Sequence, residues 1–389
     1  MKKAEALTKL QRRQWLALAA AGASTWLKPA LAAATATAPP QQLAAAWEAA
    51  QGYQVGVLAY HGTALQVSAA LDVPTRAHGV WAERGGSLLA VARRPGDWLL
   101  RWRPVSEGES QGKAIAWAWA EPDRAFNGHV IASADGKTLY TTETNLETGE
   151  GLVGVRDAAT LEKSGEWPSH GMDPHELLLD DDGSLVVANG GIPALPETGR
   201  LKIHMERMDA SLVRLDTRSG ALLGQWRLAD KRLSLRHLAW GRAPAAGGPR
   251  VLGIALQAEH EDSAAKTGAP VLALFDGRKL RTCDAGAGHV LAGYGGDIAW
   301  AAGAFAVGCP RANGVAVWQA DGRWTDFFPL QEACAVTSAP AAGRADTTLW
   351  AGGRFAALVR DGAGRTASPT LANVRLDNHW APLAGVAGD

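Results

Sequence analysis

Charge of one sign is what this sequence most plainly lacks: 39 basic residues are matched by 39 acidic ones. A nucleic-acid or anionic-lipid partner would call for a basic stripe, and no such stripe is present. Cysteine is scarce as well, with three residues, Cys283, Cys309 and Cys334. An odd number leaves at least one thiol outside any disulfide, and spacings of 26 and 25 exclude a C-x-x-C zinc ribbon or a c-type haem motif. Each thiol reads as a small buried hydrophobe, with a disulfide among the three left open. Also missing are a G-x-S-x-G elbow, an H-E-x-x-H helix and a phosphate-cradling loop, so the common hydrolase, metalloprotease and nucleotide signatures do not apply.

The first 38 residues read as an export leader. Lys2, Lys3, Arg12 and Arg13 precede the apolar run Trp15–Leu27, which is too short to span a bilayer. Small residues from Ala30 onward offer a cleavage site near Ala32–Ala38. The stretch Gln11-Arg12-Arg13-Gln14-Trp15-Leu16 resembles a twin-arginine signal, with the general secretory route as the alternative. Either route implies a periplasmic protein with no membrane anchor after cleavage. Residues 39–52 are expected to form a short segment, helical over 41–51, ahead of a single domain at 53–389.

What the chain has in abundance is glycine, 45 residues, many in Asp-Gly and Gly-Gly turn contexts that favour tight hairpins. Alternating apolar strands recur between these turns, as in TLYTTE (138–143), GLVGVRD (151–157), SLVVAN (184–189) and GVAVW (314–318). One phrase returns seven times. It is clear at His78, His129, His175, His237 and His379, and weaker copies hold Gly296 and Cys334. Successive separations are 51, 46, 62, 59, 38 and 45 residues, close to the roughly 40–50 of a four-stranded propeller blade. The prediction is therefore all-β, a seven-bladed β-propeller. The C-terminal phrase leaves too little chain for a whole blade, so a strand at 53–60 is expected to complete it and remove an open edge. An eight-stranded sandwich is the alternative fold, but it does not explain the repeat.

Hairpin parity places the residues leading each first strand, and those ending each second strand, on one face of the disc. That face gathers His78, His129, His175, His237 and His379 with Glu143 and Glu176 as candidate metal ligands. Arg93, Asn145, Asn189, Arg236, Gln257 and Cys334 share it. Imidazole suits transition metals, which points to iron or copper. The plainer reading is that each histidine only hydrogen-bonds neighbouring strands, as recurrent histidines do in WD-type propellers. His170 is either a loop residue or an extra ligand, and His61, His204, His260 and His289 are off-phase surface residues. The tryptophans, such as Trp102, Trp318 and Trp350, are expected to pack between blades.

SHGMDPHEL (169–177), LVVANGGI (185–192), RLKIHMERMDASLVRLD (200–216) and SLRHLA (234–239) resemble a family of twin-arginine-exported bacterial proteins of unassigned function. YTTETN (140–145) and the closing LDNHW (376–380) fit it too. The resemblance spans about 50–385 and implies a seven-bladed propeller of the YVTN/WD-like type. It also implies an association with imelysin-type periplasmic iron-uptake proteins as partners, and no catalytic residues. The chain departs from the family at Cys309-Pro310-Arg311, which replaces a Ser-Pro-Arg phrase, so no role is carried onto Cys309. Three readings follow. The first is a non-enzymatic propeller binding iron, copper or a metal-containing ligand on its histidine face. The second is a lactonase-like hydrolase using Glu143, Asn145 and Asn189 around a calcium-type ion. The third is a protein-interaction platform with no small ligand.

Overall fold

The computed structural model describes residues 41–104, 112–193, 202, 204–242, 250–340, 347–371 and 374–383. The leader at 1–38 lies outside the described residues. Seven sheets follow one another along the chain, six antiparallel ones of four strands and one of five whose outermost strand, Thr370–Leu371, pairs in parallel. Blade one starts with Ala77–Ala82, blade two with Arg124–Ala132 and blade three with Pro174–Leu179. Blades four, five and six start with Leu233–Arg242, Asp297–Ala301 and Ala335–Pro340. In every blade these first strands are innermost. Each adjoins the first strand of the next blade, and Arg375–Leu383 of blade seven closes the ring against Ala77–Ala82. The result is the β-propeller anticipated from the repeat.

Strands whose two faces are both covered lose the in-out alternation and read as continuous apolar runs. The second strands show this: Leu88–Ala92 and Leu185–Asn189 are buried at every position. Tryptophans fill the space between blades. Trp98, Trp102 and Trp318 are fully buried, and Trp350 packs with Trp47 and Trp380.

Closure differs from the expectation in one respect. The strand that pairs with Arg375–Leu383 is Gln42–Ala49, not the strand at 53–60, and Gly52–Tyr60 lies one position further out. Residues 41–51 are thus not helical, and most of the expected 39–52 segment belongs to the propeller. The sequence QLAAAWEA is rich in good helix formers. The exposed edge of the last blade overrides that local preference, because Leu43, Ala45 and Trp47 bury completely there. Helix is confined, among the described residues, to Ser263–Gly268 and a 3-10 turn at Met205–Arg207.

Candidate metal centre

The five histidines of the repeat converge. Nine of the ten ring pairs lie 4.4–5.9 Å apart, centroid to centroid, and all five rings are buried. A local device aims them. The first strands of blades one to four each break register against their second strand, between Ala77 and Val80, Phe126 and Val130, Pro174 and Leu177, and Leu235 and Leu238. Blade seven does the same, with residues 377–379 spanning the break opposite Ala46. Each break contains one of the five histidines. In blades five and six, which have no histidine, the innermost ladders run without a shift. A bulge adds a residue to one strand and re-aims its side chains, so the ring of bulges is what turns the histidines to the axis.

Crowding at the axis also demands glycine. Gly128 has φ +109, and a Cβ there would sit 2.5 Å from Cδ2 of His78. Only a residue without a side chain lets blades one and two come this close.

Nε2 of His175 lies 3.4 Å from Nε2 of His78 and 3.1 Å from Nε2 of His237. One ligand atom from each of His78, His129, His175 and His237 falls within 4.8 Å of all the others. Nitrogens bound at about 2.1 Å to a shared ion would be no more than about 4.2 Å apart, so small side-chain adjustments bring these four onto one ion. Behind the rings stand two carboxylates. Glu176 sits 3.7 Å from Nδ1 of His129 and 3.4 Å from Nδ1 of His237, and it accepts the backbone N–H of Leu238 at 2.7 Å. Asp297 lies 3.1 Å from Nδ1 of His379 and groups with His237 and His379 as a second ligand set. Carboxylates in this position orient metal-binding imidazoles and raise their basicity.

Protonation favours binding. Burial holds His78, His129, His175 and His237 well below the ordinary imidazole value, and neighbouring imidazoles with Arg93 or Arg236 add to the effect. Burial opposes charge on His379 too, but Asp297 outweighs it and raises that residue. Four neutral imidazoles are what a transition metal requires. One nitrogen in each of the five rings is buried without a hydrogen-bond partner among the described residues. Among the described residues the side-chain partners of the five rings are other imidazoles and carboxylates, not the backbone of neighbouring strands.

Other expected ligands go elsewhere. Glu143 is buried against Arg156 at 2.8 Å, Lys163 at 2.8 Å and Thr141 at 2.6 Å, away from the histidines. Asn145 accepts the turn N–H groups of Glu147 and Thr148. Asn189 donates to the Ser169 carbonyl at 2.8 Å, and Gln257 donates to Glu259. These four end second strands, whose side chains face the neighbouring blades rather than the axis; parity gives the face of the disc but not the radius. The trio proposed for a calcium-type site therefore does not converge. Arg93, Arg236 and Cys334 do line the mouth, with Arg236 buried against Asp173 at 2.8 Å. His170 is an exposed loop residue with φ 53. All three cysteines are free, and burial pushes Cys283 up to about 11 and Cys309 up to about 12.

Asp297 was missed by sequence reasoning. It follows the weak phase position Gly296 as Glu176 follows His175, and that shared offset was the available signal.

Comparison with known proteins agrees on the fold. A family model described as a protein of unknown function, DUF1513, matches residues 71–383. No curated protein matches the chain. Among solved structures, a candidate 6-phosphogluconolactonase from Bacteroides fragilis superposes with a TM-score of 0.60 at 13% identity, over 90% of this chain and 100% of that one. Kuenenia stuttgartiensis hydrazine synthase gives 0.56 at 13%, over 82% and 90%. Virginiamycin B lyase from Staphylococcus aureus gives 0.51 at 12%, over 76% and 84%. Identities this low speak to the fold alone.

Proposed function

The chain belongs to the DUF1513 family, and from that premise we propose that it is a periplasmic propeller binding iron or copper at its axial histidine centre. The observation that carries the reading is the coincidence of five bulges with five converging imidazoles, while the two blades without histidine keep regular ladders. A purely structural histidine would need no such break. The donors favour a borderline transition metal over calcium or magnesium, because imidazole outnumbers oxygen. Glu176 and Asp297 supply two negative charges to balance a divalent ion. The convergence of five imidazoles favours metal binding or delivery, accessory to iron acquisition, over hydrolysis. The resemblance of residues 11–16 to a twin-arginine signal, or to a general secretory leader, supports that location.

The test is calorimetric titration of metal-stripped protein with ferrous and cupric ions, beside the same titration of His175→Ala. Stoichiometric binding by the parent, lost in the variant, supports the centre. A parent that binds neither ion overturns it.

A further inference from the structure

A layer of arginines sits directly over the histidine centre. Arg76 grips the carboxylate of Asp377 with two N–H groups, one of them 2.6 Å from Oδ1. Arg94 and Arg236 share the single carboxylate of Asp173. Arg93 is half-buried, its backbone N–H bonds the Arg76 carbonyl at 2.9 Å, and burial and then Arg76 oppose its charge while Asp377 favours it. It holds no carboxylate of its own among the described residues. Asp377 stands two residues before His379 on the same strand, and Asp173 immediately precedes the strand that carries His175.

The charge is unbalanced. Four guanidiniums meet two carboxylates within this layer, while Glu176 and Asp297 face the histidine rings. Two positive charges remain in a partly desolvated rim, an arrangement that is costly without a counter-ion. The rim is reachable, with the Arg76 and Arg94 side chains 36% and 24% exposed.

We propose that this rim is an oxyanion site that takes a carboxylate-bearing chelator, so that the metal is held or delivered as an anionic complex. Planar guanidinium forks match carboxylates in pairs of parallel bonds, and Arg76 already holds Asp377 in that way. Arg93 supplies the unfilled fork. The inference deepens the metal-binding reading and rests on it for the identity of the cargo, but the anion site can be measured without metal.

The experiment titrates citrate, with inorganic phosphate as comparator, into metal-stripped protein, its Arg93→Gln and Arg93→Lys variants, and His175→Ala, with circular dichroism confirming folding. Citrate should bind the parent and His175→Ala alike. Arg93→Gln should weaken it about 10- to 100-fold, and Arg93→Lys should weaken it less; the lysine variant decides the matter if the glutamine variant does not fold. Absence of citrate binding at millimolar concentration overturns the proposal, as does binding of phosphate but not citrate, or citrate affinity unchanged in both Arg93 variants. Aquo metal ions titrated separately into Arg93→Gln test the centre alone. Metal binding without citrate binding leaves the centre standing and removes the rim, and citrate binding without metal binding does the reverse.

Discussion

Nε2 of His175 in blade three faces Nε2 of His237 in blade four at 3.1 Å, in a pocket closed to water. Two imidazolium ions could not share that space, and one N–H can bridge the pair only if the other nitrogen is bare. The contact requires at least one neutral ring. An ion at the centre would take up both lone pairs.

His175→Ala should abolish tight binding of iron or copper, and Asp297→Asn should lower the affinity about 10- to 100-fold through loss of its hold on His379. Because His175 is 2% exposed, its removal also leaves a void, so melting is measured together with calorimetry. Asp297→Asn with unaltered affinity would remove the carboxylate from the site.

Acid should loosen the metal-free protein. His78, His129, His175 and His237 have pKa values below ordinary imidazole when folded, whereas the unfolded chain takes up protons near about 6.5. Below that pH the unfolded state binds more protons, so stability falls with pH, by up to about 1.4 kcal/mol per pH unit for each such histidine. His379 acts oppositely: its raised value contributes stability below about 6.5 that is lost as pH rises through the folded value. Metal affinity should consequently hold through pH 6.5 rather than fall there, contrary to a reading based on ordinary imidazole. Chemical denaturation at several pH values, with and without metal, checks both statements, and a stability that rises on acidification would refute the first.

Gly128→Ala should cost about 1–3 kcal/mol and weaken metal binding at the same time, since the new methyl group presses on His78. Gly136→Ala serves as the control for left-handed backbone alone, because its φ is +71 with open space around it. Equal metal affinity in both variants would show that the close approach of blades one and two does not shape the centre.

Glu143→Gln should destabilise the fold by about 3–5 kcal/mol, leaving Arg156 and Lys163 without their buried partner, yet leave metal affinity unchanged. Thermal melts and titration on one preparation suffice. Loss of metal binding at unaltered stability would return Glu143 to the site.

Deleting residues 375–389 removes the innermost strand of blade seven, and with it Trp380 and His379. Gln42–Ala49 would then present an unpaired edge to the axis. Broadened, non-cooperative unfolding or aggregation is expected, and a sharp transition at the parental temperature would exclude closure by this strand.

The sequence by itself determined the number of blades, because a hairpin period survives in turn glycines and alternating apolar strands whatever lies between them. It also determined that the five histidines share one face, since strand parity is a local property. Radius is not local. Glu143 and His175 occupy the same face, but one ends a second strand and is buried between blades while the other begins an innermost strand, and only ring closure separates them. Bulges are equally invisible to a period of two, and it is a bulge that turns each imidazole to the axis. Gln42–Ala49 is helix-like in composition and becomes a strand because a sheet edge 330 residues later needs a partner. The arginine rim was settled in the same way, by contacts between blades that no short stretch of chain encodes.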